Sequence, residues 1–161
     1  MKFILPYRLF EQEEYSDEQK DLLKLSSDTD ARVRRWVATN PNAPAEALLT
    51  LASDSNSGVR YRVATNPNAP AEALLTLSSD SDSDVRYRVA TNPNAPAEVL
   101  LKLASDTDAR VRRWVAKNPN SDDSVLLDVL FSSTEESIKN AILSNKNASD
   151  DVKNLVNNWS I

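Results

Sequence analysis

Residues 59–70 read VRYRVATNPNAP. Val59, Tyr61 and Val63 alternate with Arg60 and Arg62, which is the pattern of a half-buried strand. Val59, Val63 and Ala64 also fall at i, i+4 and i+5, along one face of a helix. The string nearly recurs at 85–96, and the copies separate the two readings. Residues 59–63 and 85–89 read VRYRV, whereas 33–37 and 111–115 read VRRWV. In the second pair the alternation fails, because a strand would carry Arg35 and Arg113 to the side of the valines. All four copies share Val at i and i+4 followed by Ala. Copies of one unit share a fold, so the shared pattern decides for a short helix.

The repeat extends well beyond this string. Asn-Pro-Asn triplets begin at Asn40, Asn66, Asn92 and Asn118, a constant step of 26 residues. A degenerate copy, Asn145-Lys146-Asn147, follows after 27, and Leu22-Leu23-Lys24-Leu25 matches Leu48-Leu49-Thr50-Leu51 upstream. A fixed period of this length predicts a solenoid. Asp54, Ser55 and Asn56, and likewise Asp80, Ser81 and Asp82, precede the first Val and can cap a helix. Asn-Pro ends that helix, with Asn expected in the left-handed conformation and Pro unable to continue. The second half, PAEALLTLASD, places Pro in a first turn and Glu where the helix dipole favours it. Leu74, Leu75 and Leu77 supply its apolar face. Each unit is then two helices of about eight to ten residues, the second α or 3₁₀, which only packing can hold. A leucine-rich repeat horseshoe needs L-x-x-L-x-L-x-x-N with a strand, which Leu48-Leu49-Thr50-Leu51-Ala52-Ser53 does not fit.

The unit from Val85 to Asp106, VRYRVATNPNAPAEVLLKLASD, resembles the leucine-rich repeat variant family, whose units run VR-x-x-VA-x-NP-x-x-P-x-E-x-L-x-x-LA-x-D. The resemblance requires the Asn-Pro, the later Pro-x-Glu and both apolar faces together, and it covers nearly the whole chain. It implies an all-α, right-handed superhelical solenoid of alternating helix types, distantly like armadillo and HEAT arrays. Some relatives carry a cysteine-rich segment holding an iron–sulfur cluster. This chain has no cysteine, so no cofactor is carried over. The resemblance fixes a fold and implies no single activity.

The 161 residues hold 19 Lys+Arg against 24 Asp+Glu, a net charge of −5, which disfavours a globally basic nucleic-acid or membrane binder. With no cysteine and no histidine, disulfides, thiol catalysis, imidazole chemistry and the usual zinc sites are all absent. No apolar run reaches the length of a membrane span. The opening MKFILPYRLF is too short for a signal sequence and is broken by Pro6 and Arg8. A cytoplasmic location is expected. Residues 1–14 are read as an N-terminal cap, 15–146 as the repeat array and 147–161 as a C-terminal half-repeat cap. Phe3, Ile4, Leu5, Tyr7, Leu9 and Phe10 would fold over the first repeat or form a dimer patch. At the other end Val152, Leu155 and Val156 would face inward.

Stacking turns each repeat position into a column. Arg34, Arg60, Arg86 and Arg112 form one; Asp28, Asp54, Asp80 and Asp106 form a second, and Glu46, Glu72 and Glu98 a shorter third, and the arginines can pair with either acidic column between units. The next two positions read Arg35-Trp36, Tyr61-Arg62, Tyr87-Arg88 and Arg113-Trp114. Each unit thus offers one guanidinium and one large aromatic, the residue types that dominate interface hot spots. These eight are the candidate partner-binding residues, against the alternative that they lie over the inter-unit seams. The Asn columns are expected to satisfy turn groups. The turns from Asp54 and Asp80 suggest calcium loops, but Thr65 and Thr91 stand where an EF-hand needs Glu. No unrepeated carboxylate pair, Gly-rich phosphate loop or metal cluster marks a catalytic centre.

The function expected is a non-enzymatic binding scaffold, recognising a protein or acidic peptide through the Arg/aromatic face. The alternative is binding of single-stranded nucleic acid through the same columns, which the negative charge opposes. A helical-repeat enzyme, such as a HEAT-like DNA glycosylase, would want a unique acidic residue that the uniform units lack. An array without an evolved ligand, designed or recently duplicated, is permitted by the near identity of residues 37–52, 63–78 and 89–104.

Overall fold

The computed structural model describes residues 15–159. These form eleven α-helices and no strand. They are α1 (Asp17–Leu25), α2 (Ala31–Thr39), α3 (Ala45–Leu51), α4 (Ser57–Thr65), α5 (Ala71–Leu77), α6 (Ser83–Thr91), α7 (Ala97–Leu103), α8 (Ala109–Lys117), α9 (Asp123–Phe131), α10 (Glu136–Leu143) and α11 (Asp150–Asn158). The even-numbered helices stack on one another as one layer, the odd-numbered as a second, and each helix packs only against helices one or two places along the chain. The core is therefore a continuous strip rather than a central ball.

Small side chains build the even layer. Val59, Val63 and Ala64 of α4, Val85, Val89 and Ala90 of α6, and Val111, Val115 and Ala116 of α8 are all fully buried. Valine and alanine at the crossing let neighbouring helices approach closely. Leucines fill the odd layer: Leu48 and Leu51, Leu74 and Leu77, and Leu100 and Leu103 are exposed by 1% or less. Val33, in the first helix of the even layer, is only half-buried, because among the described residues no earlier helix of that layer covers it. The expected cap and dimer patch at 1–14 lies outside the described residues.

Capping explains the boundaries. Asn56, Asp82 and Asp108 accept a hydrogen bond from the backbone N–H two residues on, at the starts of α4, α6 and α8. Four sequence expectations are corrected: the conformation of the helix-ending Asn, the position of the Pro, the length of the second helices and the burial of Leu155. The Asn that ends each even helix is not left-handed: Asn40, Asn66 and Asn92 have φ near −70° and ψ near 125°. The following proline forces this, since its Cδ excludes the helical region from the residue before it. Pro44, Pro70 and Pro96 stand at the N-cap, one place before the first turn. The short second helices are α-helical and seven residues long. At the C-terminal end Val152 and Val156 are buried, but Leu155 is 37% exposed, so it does not join the inward face.

Candidate functional site: the outer face of the even helices

Two ladders along the seams determine which side chains remain for a partner. The first is made of asparagine. Asn92 Nδ2 donates to the carbonyls of Ala64 (2.8 Å) and Asn66 (3.1 Å) in the preceding unit, while its Oδ1 accepts from the N–H of Asn94. Asn66, Asn118 and Asn145 repeat the arrangement. Asn68, Asn94, Asn120 and Asn147 then donate to the carbonyls of Pro41, Pro67, Pro93 and Pro119. The asparagines do satisfy turn groups, but the carbonyls belong to the neighbouring unit.

The second ladder is ionic. Arg60 Nε and Nη2 hold the Asp80 carboxylate in a fork at 2.6 and 2.9 Å, and Nη1 donates to the Asp54 carbonyl of its own unit. Arg34 holds Asp54, and Arg86 holds Asp106, in the same way. Both partners are largely shielded, with side-chain exposures of 16% and 4% for Arg60 and Asp80. Arg112 departs from the pattern. It reaches Glu135 through one nitrogen at 3.0 Å, and its buried Nε lacks a partner. The constant arginine column is thus a structural latch.

The mixed Arg/aromatic positions are staggered, so that the first position of one unit meets the second position of the next. The Arg88 guanidinium lies between two rings, 4.8 Å from the Tyr61 centroid and 5.1 Å from that of Tyr87. Tyr87 meets Trp114 edge to face at 6.0 Å, and Lys117 Nζ stands 5.1 Å from the Trp114 ring. Arg88, Tyr61 and Tyr87 are half-buried. Arg62 stands 5.7 Å from the Tyr61 centroid and is exposed.

At the seam of α2 and α4 the stagger brings Arg35 and Arg62 together instead. With Arg32, Trp36 and Thr39 they line an open cleft of about 370 Å³. Trp36 is 54% exposed. Arg32 is engaged by Asp30, whose carboxyl is held down to about 2 by the side chain and backbone N–H of Arg32. Arg35 and Arg62 form neither ion pair nor side-chain hydrogen bond among the described residues. At the far end Arg113 is exposed without a partner among the described residues, and Trp114 is 37% exposed. The eight candidate residues thus divide: Tyr61, Tyr87 and Arg88 pack together along the inner seams, Trp114 packs edge-on against Tyr87 with part of its ring exposed, and Arg35, Trp36, Arg62 and Arg113 face outward. The sequence offered no sign of this division except the swapped order of Arg and aromatic between units. The acidic turns act as caps and latch acceptors, and among the described residues no cluster of three His, Cys, Asp or Glu is placed to hold a metal.

A stack of two-helix units, each touching only its neighbours, is a helical-repeat solenoid. Two of its units, residues 31–56 and 58–82, match the profile of the family described as leucine rich repeat variant. Comparison with solved structures finds similarity to "a leucine-rich repeat variant with a novel repetitive protein structural motif", at 27% identity and a TM-score of 0.58. The match takes in 86% of this chain and 59% of the other, so this chain spans less than two thirds of that protein's length. Comparison with curated proteins finds no match. No described helix is long and apolar enough to cross a membrane.

Proposed function

We propose that the chain is a non-enzymatic binding scaffold whose even-helix face takes an acidic segment of a partner protein. The observation that carries this reading is the α2–α4 seam. There Arg35 and Arg62 stand beside exposed Trp36, and neither has an ion-pair partner among the described residues. In a chain of net charge −5, a local excess of guanidinium beside an indole suits an acidic peptide. Arg113 and Trp114 extend the contact at the other end of the face. Residues 15–146 serve as the array that presents this face, and 147–161 as its closing half-repeat.

Single-strand binding by stacked aromatics is the weaker reading. The Tyr61 and Tyr87 rings that would stack on bases are already occupied by Arg88. The test is a peptide array of acidic, neutral and basic segments probed with the wild type and with Trp36→Ala/Arg62→Ala. Selective capture of acidic segments, lost in the double variant while its melting temperature holds, is the expected result. Equal capture by both proteins contradicts the assignment of the face.

A further inference from the structure

The α2–α4 seam differs from the next ones at a third position. Beneath Arg35 lies Gly58, the only glycine in the chain. A Cβ there would stand 2.8 Å from Arg35 Nη2, so the guanidinium rests against bare backbone. Its counterpart one unit on is Asp84, which pairs with Arg110 at 3.3 Å. Glycine is the poorest helix former after proline, yet it sits in the first turn of α4. Where the next unit supplies a carboxylate, this one leaves space for a guanidinium. Two arginines of like charge then line one cleft, and no acid among the described residues pairs with either.

Building on the proposed face, we infer that this seam anchors a phosphorylated residue within the acidic segment, through the guanidinium groups of Arg35 and Arg62. A phosphate monoester carries about −1.5 to −2 at neutral pH, matching two guanidinium charges where one carboxylate matches only one. The planar fork of arginine fits phosphate oxygens. Trp36 offers its indole to an apolar side chain beside the phosphate. A nucleic-acid strand fits less well. It needs a row of cations along the face, whereas the next seam encloses Arg88 between tyrosines and exposes Asp84.

The test titrates the full chain with three short peptides while following the indole N–H resonance of Trp36. One carries phosphoserine followed by phenylalanine, one has two glutamates in place of the phosphoserine, and one is unphosphorylated. The phosphopeptide is expected to bind about tenfold more tightly than the glutamate peptide, and Arg35→Ala and Arg62→Ala each to weaken it by about tenfold or more. Gly58→Asp, which copies the residue found one unit on, keeps the fold and loses the phosphopeptide. Lys102→Ala, on α7, changes nothing. Equal affinity for the glutamate peptide overturns the phosphate assignment and leaves the acidic-segment reading intact. Binding unchanged by Gly58→Asp, with the fold verified by circular dichroism, also overturns it. Failure of all three peptides, with or without binding of oligothymidylate, overturns both readings.

Discussion

Asn92 Nδ2 sits 2.8 Å from the carbonyl oxygen of Ala64, 28 residues earlier, and both groups are buried. That carbonyl belongs to the last turn of α4, where helix geometry leaves it without an intrahelical donor. One amide thus completes the end of the preceding helix with its nitrogen and shapes its own turn with its oxygen. Only a side chain with a donor and an acceptor on one planar group does both.

Asn92→Ala removes the donors to Ala64 and Asn66 and the acceptor for Asn94. The loss is expected at about 2–4 kcal/mol, since buried backbone groups are left unsatisfied. Asn92→Asp preserves the shape but turns a carboxylate toward two carbonyls, so it should be at least as damaging. Urea denaturation of both variants checks this, and an Asp variant as stable as wild type at neutral pH would refute the donor role.

The Arg60–Asp80 fork predicts coupling between units. Removing either partner strands a shielded charge, and each single alanine variant should cost about 2–3 kcal/mol. The double variant should cost clearly less than the sum of the singles. A double-mutant cycle by denaturation measures the coupling, and additive losses would show that the fork contributes nothing between units. Arg112→Ala should cost less than Arg60→Ala: both arginines hold a carbonyl of their own unit through Nη1, but Arg112 meets its acid through one hydrogen bond, to exposed Glu135, where Arg60 makes a fork with shielded Asp80.

Acid should loosen the stack. The Arg34 fork holds the Asp54 carboxyl below its ordinary value. Burial pushes Asp80 up, but the Arg60 hydrogen bonds and the Asp82 N–H outweigh it, so its net shift is also downward. A carboxyl depressed in the folded state stabilises the fold above its unfolded value, about 3.9, and that stability is lost as pH falls through the folded value. The melting temperature should therefore vary little in these groups' contribution down to about pH 5 and fall below about pH 4. Asp54→Asn/Asp80→Asn should start lower and lose less on acidification. A double variant with the wild-type acid profile would contradict this origin.

Arg88 packs on two tyrosines and pairs with no acid among the described residues. Arg88→Ala should cost about 1–2 kcal/mol of stability, the range for a shielded cation–π contact and its packed stem. Arg88→Lys should recover only part of this, since an ammonium cannot lie flat between two rings. Thermal melts of both variants check it, and a Lys variant equal to wild type would show that charge alone matters.

Much of this was legible in the chain itself. The 26-residue step, the Val/Ala and Leu columns and the Asp and Asn caps all specify helix pairs stacked in two layers. That the constant arginines could pair with an acidic column was also readable, but both the Asp and the Glu columns recur with that period, and only the packing selects Asp54, Asp80 and Asp106. The conformation of Asn40, Asn66 and Asn92 was misread because a helix-end preference competes with the constraint from the next proline, and the proline wins. The site was harder to see. Nothing in a single unit tells that Tyr61 will meet Arg88 rather than its own neighbour, because the stagger between units is a packing property. The room for the Arg35 guanidinium depends on Gly58, 23 positions along the chain and in another helix.

The most direct measurement is the affinity of one acidic peptide, chosen from the array, for Trp36→Ala and Tyr87→Ala side by side with their melting temperatures. If outer residues bind and inner residues hold the seams, Trp36→Ala should lose about tenfold or more in affinity with an unchanged melt. Tyr87→Ala should melt earlier, yet bind normally while folded. Full affinity in Trp36→Ala, or lost affinity with an unchanged melt in Tyr87→Ala, would contradict that division of the face.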